Sequence, residues 1–198
     1  MSIDFAIMEK EDLKLMDFAS RFSKEDLRAA ANESVDYLMS LVSDLTDADV
    51  TFDPVDENAD DPHAVAGEEN IGWSVAHLIA HITSSTEEWA AYSSILARGV
   101  EYPAEPRLRY ETPWKDLTTQ AQVVQRLQES RRMRNAFLDT WPDAPFLDTK
   151  RDLSPRFIER FGDFNAPAAF LFGLKHELGH YEQIEEVKRQ ALAARATV

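Results

Sequence analysis

Ser74-Val75-Ala76-His77-Leu78-Ile79-Ala80-His81-Ile82 is the stretch on which the fold turns. Its apolar residues return at three- and four-residue steps, and Leu78, Ile82 and Trp89 continue one stripe, which predicts a helix over about 75–98. Ser74 is placed to cap its start and Gly99 to end it. Outward from this helix the same period recurs three times. Leu27, Ala31, Val35, Leu38, Leu41, Val42 and Leu45 predict a helix over about 24–44, with Ser23 and Asp26 forming a capping box at its start. Val123, Val124, Leu127, Phe137, Leu138 and Trp141 predict one over about 119–140, opened by Thr119 and Gln122. That stripe is interrupted around Ser130, Arg131 and Arg134, where a plain core would want leucine. A fourth helix opens near Asn165 and Pro167 and runs over about 166–194; proline costs little in a first turn.

Segments 45–72, 99–117 and 141–165 are long, and the last two hold most of the prolines. Such connections suit a bundle with crossovers better than a series of tight hairpins. A short extra helix is expected near Glu11 to Phe22. No strand alternation, repeat or low-complexity tract is present, so the expectation is one all-α domain over 1–198, a four-helix bundle with long crossover loops.

The 198 residues, 44% of them hydrophobic, suffice for one buried core and not for two ordinary domains. No run approaches the roughly 20 apolar residues of a membrane span. Met1-Ser2-Ile3-Asp4 is neither basic nor followed by an apolar run, so a cytoplasmic protein is expected. Asp and Glu outnumber Lys and Arg by 36 to 21, a formal charge of −15 that repels phosphate backbones and argues against nucleic acid. The chain has no cysteine, which leaves histidine and carboxylate as its metal chemistry.

Four of the five histidines form two H-x-x-x-H pairs, His77 with His81 and His176 with His180. Residues four apart share a helical face, so both imidazoles of a pair can address one point. Two ligands from one helix and a third from another make a tripod with open coordination positions, as catalytic metals have. Spacing alone is equally consistent with ordinary histidines at helical intervals. It does not choose among the four.

Asn70-Ile71-Gly72-Trp73-Ser74-Val75-Ala76-His77-Leu78-Ile79-Ala80-His81-Ile82 resembles the second helix of the DinB-like superfamily. There a Trp-Ser pair is followed, eight residues after the Trp, by a metal-binding histidine; the matching position is His81. Leu174-Lys175-His176-Glu177-Leu178-Gly179-His180-Tyr181-Glu182-Gln183-Ile184 resembles the fourth helix, with paired ligands at His176 and His180. Helix order and loop lengths extend the resemblance over essentially the whole chain. It implies a four-helix bundle whose three histidines hold a divalent transition metal, nickel or zinc, completed by water or a substrate atom. Characterised relatives include bacillithiol S-transferases and mycothiol-dependent maleylpyruvate isomerases, so the resemblance also implies a low-molecular-weight thiol as cosubstrate. His77 and the N-terminal segment match no residue to which the family pattern gives a role.

Around that site His77 is expected to line the pocket or have no role, rather than serve as a ligand. Gln183, three residues past His180, can orient a ligand from behind. Glu177 is expected to be structural, and His63, in the acidic loop, solvated. Arg131, Arg132 and Arg134 read as a basic face pairing with acidic neighbours. Alternatively Arg134 or Arg131 points inward and binds a substrate carboxylate, which the guanidinium fork suits. Two functions fit: a metal enzyme of S-transfer, thiol-assisted isomerisation or hydrolysis acting on a small molecule, or a non-catalytic metal-binding bundle. A homodimer is compatible with either.

Overall fold

The computed structural model describes residues 2–57, 59 and 67–197, and every regular element among them is helical. In chain order these are α1 (Ala6–Lys10), α2 (Leu15–Ala19), α3 (Lys24–Val42), α4 (Asp47–Val50), α5 (Val75–Ala97), a 3-10 turn (Trp114–Asp116), α6 (Gln120–Asp139), α7 (Pro155–Phe161), α8 (Ala166–Leu178) and α9 (Tyr181–Arg195). Their starts follow local chemistry. Ser23, Thr46, Ser74, Thr119, Ser154 and Asn165 each accept, through the side chain, from the backbone N–H three residues on. At Ser23, Thr46 and Thr119 the bond is reciprocated as a full capping box.

Three expectations need correction. The extra N-terminal helix expected near Glu11 to Phe22 is the shorter α2, and a further helix, α1, precedes it across Asp12, whose left-handed φ of 51° aspartate tolerates better than most residues. The long connections contain α4 and α7, the latter opened by Ser154-Pro155 and closed by Gly162 at a φ of 84°. The fourth long helix is broken at Gly179 and His180, which separate α8 from α9. His63 falls outside the described residues.

α5 packs against α8 and α6, α6 also against α3, and α3 against α8, which closes a ring. α5 is buried nearly all round, as a helix enclosed by others must be. Gly173 lets α8 approach it closely: a Cβ there would lie 3.1 Å from both Thr86 Cα and Trp89 Cβ. The apolar core is divided. One cluster holds Phe18, Leu27, Trp89, Leu138, Phe164 and Leu174; the other holds Val35, Leu38, Leu78, Ile82, Leu127 and Ile184. Between them in sequence, on α3, α5, α6 and α8, lie buried polar residues: Ser34, Thr83 to Glu88, Ser130 with Arg134, and Glu177. The interruption visible in the third helical stripe is this layer.

Candidate metal centre

His81 sits in the second turn of α5, His176 in the last turn of α8, and His180 in the break before α9. At the break, the His180 N–H donates to the Glu177 carbonyl three residues back, and the His180 carbonyl accepts from Ile184 N–H. One tight turn thus presents His180 beside His176. One ring nitrogen from each of His81, His176 and His180 lies within 4.8 Å of the others, a group that can hold a metal ion. His77 is not in this group. Its ring is stacked between Trp73 and Trp114, with centroids at 4.5 and 4.6 Å. Trp73 also lies 4.7 Å from the His81 ring, so it walls the site as well as packing the core.

The chemistry of the donors suits a cation. Burial first, then Arg109 and the neighbouring histidines, pushes the His81 pKa down to about 2. Burial, with His180 and Arg109, pushes His176 down to about 4. Both rings are therefore neutral at pH 7 and keep a lone pair for coordination. His180 Nδ1 lies 3.0 Å from Gln183 Oε1, an acceptor, which leaves the proton on Nδ1 and the lone pair on Nε2. His176 Nδ1 is buried with no hydrogen-bond partner, and a buried polar atom left in this way is explained by a bound ion or water.

Behind the ligands, Glu177 is fully buried and Arg134 is 1% exposed. Arg134 donates to both Glu177 oxygens, at 3.4 and 2.5 Å, and to Ser130 Oγ at 3.0 Å. Burial pushes the Glu177 carboxyl up and the guanidinium pulls it back. The reading of Arg134 as a substrate anchor is corrected: a charge at this depth requires a buried counter-charge, and Glu177 supplies it. Arg131 faces outward and pairs with Asp36.

Sequence reading missed the segment between α5 and α6, which carries no helical period. Residues 102–111 run back along α5, stitched to it turn by turn. The Leu108 N–H donates to Tyr92 Oη, Arg107 grips the buried Glu88 through two nitrogens, and Glu111 Oε2 lies 3.2 Å from Ser84 Oγ. Arg151 clamps the far end by donating to the carbonyls of Tyr102, Pro103 and Ala104. The strap delivers Arg109 and Glu111 to His81. Arg109 Nη2 lies 3.2 Å from His81 Nδ1 and 2.5 Å from Glu111 Oε2, and that oxygen is 3.9 Å from Nδ1. Beneath the strap opens a cavity of about 490 Å³, lined in part by Ser85, Glu88, Arg107, Arg109, Arg151 and His176. One ligand candidate therefore faces a space of ligand size.

Fold and site together define, over the described residues, an all-helical protein with three convergent histidines, one of which lines a cavity. The chain belongs to the DinB superfamily, whose family model matches residues 30–184. Searches of curated proteins and of solved structures found no match. No helix among the described residues is long and apolar enough to cross a membrane.

Proposed function

We propose that this protein is a metal-dependent enzyme of thiol S-transferase type, with nickel or zinc held by His81, His176 and His180. The observation that carries the reading is the placement of His176, which belongs at once to the histidine group and to the wall of the cavity. No fourth protein ligand joins that group among the described residues, so coordination positions stay available, as in catalytic rather than structural sites. A divalent cation there would lower the pKa of a small-molecule thiol and hold it as thiolate.

The chain's own groups do the rest. Neutral imidazoles offer lone pairs without first losing protons, Gln183 fixes the His180 tautomer, and Trp73 shields one side from water. The cavity accommodates the electrophile beside His176. The thiol would bring its own sulfur, and coordination to the cation would make its S–H acidic enough to give the proton to solvent without a base side chain.

Tag-free protein should contain about one equivalent of nickel or zinc by elemental analysis, and His81→Ala and His176→Ala should each lose it. Stoichiometric metal surviving both substitutions would refute the ligand set. With a panel of low-molecular-weight thiols and a chromogenic electrophile, the metal-loaded wild type should turn over only when thiol is present. Ester hydrolysis without thiol would assign the site to the hydrolases instead.

A further inference from the structure

We infer that the cavity beside His176 binds an uncharged aromatic group of the substrate, selected by Phe157 and Phe172. The inference rests on the metal reading above and deepens it by naming the class of substrate.

Two helices carry the histidine face onward into the cavity. On α8, Phe172 precedes His176 by four residues. On α5, Ser85 and Trp89 follow His81 at the same step, and residues four apart share a helical face. The aromatic wall thus begins one helical turn, about 6 Å, from the candidate ligands. α7 adds Phe157, whose ring lies 5.3 Å from that of Phe172 at 64° and 6.2 Å from that of Trp89 at 22°. Phe157 and Phe172 stay half-buried although both pack against the larger apolar cluster, and both line the cavity. A concave wall of rings offers edge-to-face and offset contacts to one ring more.

The wall is held in place. The Ser154 side chain caps the start of α7, and Lys14 Nζ donates to the carbonyls of Glu159 and Arg160 near its end, at 3.2 and 3.4 Å. A preformed pocket spares a ligand the cost of ordering it.

Charge argues against an ionic group in the same space. Arg107 is committed to Glu88. Arg109 donates through Nε and Nη2 to Glu111 and through Nη2 to the His81 carbonyl. Arg151 donates to three loop carbonyls and lies 4.1 Å over the Tyr92 ring. The other charged residues of the wall, Glu105 and Asp152, are exposed carboxylates that repel an anion, and a cation would meet the three guanidiniums. A desolvated charge without a partner is costly, whereas a neutral ring gains from the aromatic wall.

The test is fluorine NMR titration of metal-stripped protein with para-fluorobenzyl alcohol and with para-fluorobenzoate, its anionic counterpart. The alcohol should bind, and the benzoate should bind at least about tenfold more weakly. Phe157→Leu and Phe172→Leu, which keep an apolar side chain and lose the ring, should each weaken the alcohol by about fivefold. A further measurement needs no variant: cobalt seated on the histidines of wild type is paramagnetic and should broaden the fluorine signal of the bound alcohol. No binding of the alcohol, preference for the benzoate, equal affinity in wild type and both variants, or stoichiometric cobalt without broadening overturns the inference and leaves the metal site standing. Failure to bind cobalt, with the alcohol still weakened in both variants, overturns the metal reading and leaves the aromatic pocket standing.

Discussion

His81 and His176 show how burial sets the working state of a residue. Each is neutral because the fold withholds the water that an imidazolium requires, and His81 also meets the positive charge of Arg109. The unfolded chain protonates both rings near the ordinary value of 6.5, whereas the folded protein holds His176 neutral down to about 4 and His81 lower still. Below pH 6.5 the unfolded state therefore binds more protons, and stability falls with pH through that window. Metal-stripped protein should melt progressively lower between pH 6.5 and 4, and His81→Gln combined with His176→Gln should flatten that slope. A wild-type profile as flat as the variant's would contradict the half-buried, neutral histidines.

At the scale of elements, the break between α8 and α9 matters more than the helices it separates. Glu177, in the last turn of α8, is tied to Arg134 on α6, and Tyr181, the first residue of α9, reaches Ser34 on α3 at 3.1 Å. Both sides of the break are thus fastened to other helices while His176 and His180 face the site. Removing one member of a buried ion pair strands the other. Arg134→Met or Glu177→Gln should cost about 3–5 kcal/mol in urea unfolding. The double replacement Arg134→Met with Glu177→Leu, which strands nothing, should recover much of that loss. Single variants losing no more than the roughly 1 kcal/mol of a surface pair would show that the layer carries little of the stability.

On the scale of the whole molecule, the histidines join α5 to the α8–α9 break, so a ligand bound there stabilises the fold rather than one helix. Binding to the native state alone at a thousandfold excess over Kd adds about 4 kcal/mol. In a chain of this size each kcal/mol is worth roughly 2–4 °C, so zinc should raise Tm by about 10 °C. His176→Ala should abolish that rise; an equal rise in the variant would place the zinc elsewhere. The strap of residues 102–111 is a property of this scale too. Its bonds to α5 join residues 16 to 28 apart in sequence, and no periodic pattern in the chain pairs the partners.

Three of the long helices were legible because caps and a 3.6-residue apolar period are local signals, complete within about twenty residues. The Thr46 capping box and the Ser154-Pro155 start are equally local signals, but the helices they open are too short to show an apolar period. His81, His176 and His180 could be singled out because their motifs are written in the chain. What surrounds them could not. Whether Arg134 meets a substrate or Glu177, and whether Arg109 reaches His81 at all, depends on which helices close the ring and where the strap lies. The sequence by itself determined an all-α chain and a set of candidate ligands. Only the tertiary structure decided which charges are neutralised inside and which face the cavity, because burial and counter-charge belong to pairs of distant residues.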